Sequence, residues 1–199
     1  FTINSDGSNE ISLTDGASQP SLGDFAPNWS PDGTKIVYHS RISGSAQIHK
    51  INMDGTGKTK LTSVGENYLP KWSPDGSKIV FASTRDNSSQ IYLMNSDGSN
   101  QKWFVTGLSP SWSPDGTKIL YAFNNGIYIA NDDGTSPNRI TNLSNNAGSD
   151  RYQKWLPSNK IIFCSTRLGN WQIYSMNPDG LNQVKLSNNQ ANERFETYD

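Results

Sequence analysis

Arg41, Arg85 and Arg167 each follow a tryptophan by 12 or 13 residues and precede a glutamine, Gln47, Gln90 or Gln172. A set of guanidinium groups carried on loops could hold a carboxylate or an acidic sugar, because the planar fork can donate to two oxygens at once. The other role open to a repeated arginine is to brace its own loop by donating to carbonyls, since a feature shared by most repeats is normally architectural. Lys71 and Lys154 each stand directly before a tryptophan, at a position filled by Asn28 and Ser111 elsewhere. They are candidate cations for a channel mouth. The competing role is a solvated lysine whose stem lies along the strand.

The two histidines, His39 and His49, fall in one stretch, "KIVYHSRISGSAQIHKIN". If residues 41 and 45 pair across the hairpin, 39 meets 47 and 37 meets 49. The imidazoles then become diagonal neighbours on one face, with backbones roughly 7–8 Å apart. A metal site wants three or four ligands, and no third is evident, so no metal or other cofactor is expected and a packed strand position suits each histidine. Cys164 lies in "KIIFCSTR" where other repeats have Ala82 or Ala122, which reads as a small buried residue rather than a nucleophile. The Asp-Gly loops, such as "NSDGSN" and "NDDGTS", lack the spaced carboxylates and closing Glu of a calcium loop and read as turns. No Gly-x-Ser-x-Gly occurs, so the serine-hydrolase elbow is missing from this stretch of chain. Tyr152 and Trp171, with Tyr68, sit in or near variable loops and could stack on a sugar or anchor a protein. His39 or Tyr152 beside an arginine could serve as a lyase base, although the sequence does not bring them together.

The elements that would position these residues are repeated. "WSPDG" is written at 29–33, 72–76 and 112–116, and Trp29, Trp72, Trp112 and Trp155 are spaced by 43, 40 and 43 residues. The fourth copy reads "WLPSNK". After each tryptophan come an apolar run (KIVY, KIVF, KILY, KIIF), a second (QIHKIN, QIYLMN, GIYIAN, QIYSMN), an Asp-Gly pair and a short closing segment such as KTKLT or QVKLS. Four short strands per unit, a period of 40–45 and no convincing amphipathic helix are the signature of β-propeller blades. In Ser-Pro-Asp-Gly the proline presets φ, the Asp suits the next position, and Gly33, Gly76 and Gly116 can take positive φ, closing a tight hairpin. The tryptophan before it is large enough to wedge between blades.

Composition agrees with many turns and short strands. The 199 residues are 33% hydrophobic and 18% charged, with 11% aromatic side chains arguing against disorder. The net charge of −1 comes without a basic stripe, so nucleic acid is not an expected partner. No apolar run approaches the roughly 20 residues of a membrane span.

At residues 70–98, "PKWSPDGSKIVFASTRDNSSQIYLMNSDG", the sequence resembles the TolB-type propeller repeat, a relative of the WD-type repeats. The likeness extends over nearly the whole chain. It implies an all-β fold and an exported, periplasmic or extracellular, protein. TolB itself binds partner proteins and is not an enzyme, while similar repeats also occur in polysaccharide lyases and beside serine peptidase domains. The fold alone does not choose among these.

A single propeller domain is therefore expected over 1–199, with complete four-stranded antiparallel blades at approximately 25–62, 68–106, 108–141 and 151–187. Partial blades are expected at 1–14 and 191–199. The uneven count suits a piece of a larger ring, a five-bladed ring with a defective blade, or self-association through open blades. The expected function is a non-catalytic scaffold that presents its loop face or channel mouth to a protein partner. The alternative is a carbohydrate-binding or lyase-type propeller taking an acidic carbohydrate, or the propeller part of a larger enzyme.

Overall fold

The second strand of every repeat is a near-continuous apolar run, and its side chains are largely buried on both faces. The computed structural model describes residues 2–3, 5–14, 23–142, 148–187 and 192–193. Its first sheet contains β1 (Asp24–Trp29), β2 (Lys35–Ser40), β3 (Gln47–Asn52) and β4 (Thr59–Lys60). The second holds β5 (Asn67–Trp72), β6 (Lys78–Ser83), β7 (Gln90–Asn95) and β8 (Lys102–Thr106). The third holds β9 (Leu108–Trp112), β10 (Lys118–Phe123), β11 (Gly126–Asn131) and β12 (Asn138–Arg139). The fourth holds β13 (Asp150–Trp155), β14 (Ile161–Ser165), β15 (Gln172–Met176) and β16 (Val184–Lys185). Each is a four-stranded antiparallel meander in sequence order, one propeller blade. At the N-terminus Thr2 bridges Ile11 antiparallel, the remnant of outer strands expected at 1–14. The first strand expected at 191–199 falls almost wholly outside the described residues.

The repeated pentapeptide closes the first hairpin of a blade as its chemistry requires. In blade one Gly33 takes φ +69° and donates its N–H to the Ser30 carbonyl at 2.9 Å, while Ser30 N–H reaches Lys35 O at 2.8 Å. Asp32 Oδ1 accepts from Ser30 Oγ at 2.6 Å and from Thr34 N–H at 3.0 Å, fastening the turn from inside. These bonds hold the Asp32 carboxyl down at about 2, with the serine hydroxyl as the largest cause. Blade four closes the same hairpin with one residue fewer: Asn159 stands where glycine stood and adopts φ +59°, a conformation asparagine tolerates better than most side chains.

The core lies between blades. Val37, Ile48 and Leu61 of blade one pack with Trp72, Ile79, Phe81 and Met94 of blade two. The same arrangement brings Val80, Ile91 and Val105 to Trp112, and Leu120, Ile127 and Ile140 to Trp155. Trp72, Trp112 and Trp155 are 8%, 8% and 7% exposed, as wedges should be. Trp29 departs from the expectation: it is 46% exposed. The blade-one face that looks back toward the N-terminus, Ile36, Tyr38 and Ile51, is met by Leu13. Among the described residues no inner strand wedges Trp29. At the other end Val184 and Leu186 are 53% and 51% exposed, while Leu61, the counterpart of Leu186, is 7% exposed.

Candidate functional site

Each first strand carries a β-bulge just before its tryptophan, seen as register shifts between Phe25 and Asn28, Tyr68 and Lys71, and Arg151 and Lys154, with a matching irregularity opposite Leu120 and Ala122. The bulge residues Ala26, Leu69, Ser109 and Tyr152 adopt φ of +49°, +51°, +51° and +55°. Bulges bend a strand and re-aim the side chains beyond them. Here the residues beyond are Asn28, Lys71, Ser111 and Lys154, and all four line one cavity of about 320 Å³ at the Pro-Asp-Gly end of the central channel. The first strands are braced to one another around it. Asn28 Oδ1 accepts the backbone N–H of Trp72 at 2.8 Å, and Trp112 Nε1 donates to Lys71 O at 3.3 Å. Gln153 Nε2 donates to Ser109 O at 2.7 Å.

Among the described residues the charged groups lining the cavity are two lysines, and its walls are largely apolar. Prolines 31, 74, 114 and 157 and the four repeat tryptophans line it along with Lys71 and Lys154. Among the described residues its lining includes no carboxylate. Burial pulls the Lys71 ammonium down to about 8, and the positive charge of Lys154 adds to the shift. Burial lowers Lys154 as well. Two buried polar atoms of lining residues, Trp72 Nε1 and Gln153 Oε1, have no hydrogen-bond partner.

The arginines expected on the opposite face do not act as one set. Arg85 donates through Nε to Ser83 Oγ at 3.0 Å and through a terminal nitrogen to Asn67 Oδ1 at 3.0 Å, with its guanidinium 4.2 Å from the Tyr92 ring centroid. Tyr92 in turn donates its hydroxyl to Asp86. Arg167 repeats the pattern with Ser165 Oγ at 2.8 Å, Asp150 Oδ1 at 3.1 Å and the Tyr174 ring at 4.6 Å, and adds Gln183 Oε1 at 2.6 Å. These contacts brace the loops and occupy the guanidinium forks. Arg41 is out of phase by one residue: Ile42 holds the equivalent position, and Arg41 instead lies 5.3 Å from the ring centroid of Tyr68. Tyr152 packs edge-on against Trp171 with centroids 5.5 Å apart, so this pair forms one aromatic contact between a bulge and a loop.

The histidines correct an expectation. Ser40 pairs with Gln47, so His39 faces Ile48 and Tyr38 faces His49. The hairpin closes one residue away from the expected register, which turns the two imidazoles to opposite faces. His39 stacks on Phe25 at 5.5 Å and meets the edge of Tyr68 at 5.5 Å, while His49 stacks on Tyr38 at 5.8 Å. Among the described residues no group of three potential ligands gathers around a metal position. The Asp-Gly loops spend their carboxylates internally: Asp54, Asp97 and Asp133 accept from the backbone N–H and hydroxyl of Thr56, Ser99 and Thr135. Cys164 is buried on the central strand of its blade.

Gln153 is the site residue that the sequence reading passed over. A signal was present, because the position two before the tryptophan is Pro27, Pro70 and Pro110 in the first three blades and Gln153 in the fourth. A polar residue replacing a repeated proline marks a local demand, here the donor that ties β13 to β9.

Residues 21–106 match the family model described as the TolB beta propeller domain. Among solved structures, the chain resembles TolB from Acinetobacter baumannii with a TM-score of 0.73 and 23% identity, over 94% of this chain and 48% of that one. It resembles a putative TolB from Agrobacterium tumefaciens with a TM-score of 0.69 and 24% identity, over 86% of this chain and 64% of that one. A curated relative, Dipeptidyl-peptidase 5 of Porphyromonas endodontalis, is 38% identical over 64 residues, which is 32% of this chain and 9% of the relative. The chain thus spans less than two thirds of each of these proteins. The shared property is the fold, a TolB-like β-propeller.

Proposed function

We propose that this chain, a four-blade array of TolB-type propeller repeats, is a non-catalytic binding module of an exported protein that docks a protein partner at its channel mouth. The observation that carries the reading is the cavity where four bulged first strands converge. It combines a few polar groups with tryptophan and proline walls, the mixture that binding sites use for orientation and for contact area. The candidate arginines favour this end of the molecule by elimination, since Arg85 and Arg167 are already engaged in bracing their loops.

The test compares capture of proteins from an envelope extract by the chain and by two surface variants. Lys71→Glu with Lys154→Glu alters the channel mouth; Tyr152→Ala with Trp171→Ala alters the loop face. Loss of one specific partner with the first variant and its retention with the second is the expected outcome. Loss with the second variant alone would move docking to the loop face, and no specific partner with the unaltered chain would remove the reading.

A second reading is the propeller part of a larger peptidase, favoured by the 38% identity over 64 residues to Dipeptidyl-peptidase 5. Release of dipeptides from a chromogenic substrate by the full-length gene product would support it. A full-length product that is inactive on such substrates would exclude it.

A further inference from the structure

We propose that blade one carries a guanidinium-binding site at its loop end, formed by Asp24, Tyr38, Ser40 and His49. The site lies at the opposite end of the blade from the channel cavity and does not depend on docking there. The chain supplies the template for it twice. In blade two the Arg85 guanidinium lies 5.4 Å from the Phe81 ring centroid and 4.2 Å from that of Tyr92, and it donates to Ser83 Oγ and Asn67 Oδ1 at 3.0 Å each. In blade four the Arg167 guanidinium lies 5.3 Å from Phe163 and 4.6 Å from Tyr174, and it donates to Ser165 Oγ at 2.8 Å and Asp150 Oδ1 at 3.1 Å. Strand register puts the blade-one residues at the corresponding places. Asp24 pairs with Ser40 and Tyr38 with His49, as Asn67 pairs with Ser83 and Phe81 with Tyr92.

What blade one lacks is the cation. Ile42 N–H reaches Ser40 Oγ at 3.5 Å, as Arg85 N–H reaches Ser83 Oγ at 3.3 Å and Arg167 N–H reaches Ser165 Oγ at 3.2 Å. The three loops thus follow one path and differ in the side chain they carry. The isoleucine donates nothing, and the groups that would receive a guanidinium are left over. Asp24 Oδ1, Tyr38 Oη and both ring nitrogens of His49 are buried without hydrogen-bond partners, and Tyr38 is 3% exposed. Native folds rarely keep buried polar atoms in that state without a use. An ionised carboxylate only accepts, and a phenol oxygen can accept as well. Burial lowers the His49 pKa and the charge of Lys58 adds to the shift, so the ring is mostly neutral at pH 7 and keeps one lone pair. A planar guanidinium brings several donors and stacks on ring faces, which a compact ammonium does less well. Lys58 stands at the rim, its Nζ 5.9 Å from the Tyr38 ring centroid, and leaves Asp24 Oδ1 without a partner. Its position is filled by Gln101 and Gln183 in blades two and four.

Two sources offer this chemistry, an arginine side chain of a polypeptide and a small free guanidine, and the experiment separates them. The whole chain is titrated at pH 7 with acetyl-Gly-Arg-Gly-amide, with the Lys and citrulline analogues of that peptide, and with agmatine. The ring-proton resonances of Tyr38 and His49 are followed. Expected are saturable shifts with the Arg peptide or with agmatine, none with the citrulline peptide, and binding of the Lys peptide at least about tenfold weaker. Shifts with the peptide alone would assign a partner's arginine, and with agmatine alone a small guanidine; both outcomes support a guanidinium site. Asp24→Ala should weaken binding by about tenfold or more, the ratio that a hydrogen bond to a charged group carries. Asp24→Asn, which copies Asn67 of blade two, should weaken it less. Ile42→Arg, which supplies an internal guanidinium, should abolish it, and Lys58→Gln, which removes the rim charge, should tighten it. Circular dichroism confirms that each variant is folded.

Equal affinity for the Arg and Lys peptides, shifts with the citrulline peptide, or no shift with any probe would overturn the inference. So would undiminished binding in Asp24→Ala or Ile42→Arg, or weaker binding in Lys58→Gln.

Discussion

At the scale of single residues, His39 shows how packing sets chemistry. It is 6% exposed between Phe25 and Tyr68, and burial pulls its imidazole down to about 4. The charges that act on it oppose each other: Arg41 pushes the pKa down and Asp24 pushes it up. Its folded pKa lies below the unfolded value near 6.5, so the unfolded chain takes up a proton first as pH falls. No proton-linked loss therefore arises above pH 6.5, and stability is lost between pH 6.5 and 4. The full shift corresponds to about 3 kcal/mol at most. Urea midpoints measured at pH 7 and pH 4.5 should fall clearly for the native chain and much less for His39→Phe. An equal fall in both would mean that other groups govern the acid response. The neighbouring His49 illustrates what the sequence hid: the register that sets it apart from His39 depends on one residue of loop length, and no local pattern fixes that.

At the scale of the element, comparing blades turns a missing residue into a prediction. Blades two and four hold a guanidinium between an aromatic ring and the first residue of the first strand, with Arg85 on Asn67 and Arg167 on Asp150. Blade one has Asp24, Tyr38 and His49 in those places but Ile42, 41% exposed, where the arginine would stand. Asp24 Oδ1 and Tyr38 Oη are buried without partners. Ile42→Arg is expected to stabilise the chain by about 1 kcal/mol, and Arg85→Ala to destabilise it by about 2 kcal/mol, in the range of hydrogen bonds to charged groups. Chemical denaturation reads both, and a lower midpoint for Ile42→Arg would show that blade one cannot seat the side chain. The four-strand blade was legible in the sequence because turn chemistry and strand period repeat together. The brace was not, because "SRI" and "STR" differ by a one-residue phase that spacing from the tryptophan blurs. The channel cavity was half legible: Lys71 and Lys154 stood out, but their convergence depends on bulges at Leu69 and Tyr152, residues whose types give no hint of positive φ.

At the scale of the whole molecule, a propeller is a stack in which each blade buries the next, and the ends of a stack differ from its middle. Trp72, Trp112 and Trp155 each enter the face of the preceding blade, and Trp29 has no such face among the described residues. The same five letters thus carry different energies at different places in the array. Trp72→Ala should cost about 3–5 kcal/mol, as large aromatic truncations in cores do. Trp29→Ala, which removes a side chain already 46% exposed, should cost less than about 1.5 kcal/mol in the same chain. Val184 and Leu186 offer at the far end the kind of surface into which a repeat tryptophan fits elsewhere. Anything that supplies the missing neighbours, whether further blades or a second copy, must raise the cost of Trp29→Ala toward that of Trp72→Ala. Denaturation of both variants at low and high protein concentration separates the cases. A Trp29 cost that rises with concentration identifies a second copy as the cover. A low cost at every concentration leaves the first blade uncovered in this chain, and a high cost at every concentration means that the chain covers Trp29 itself.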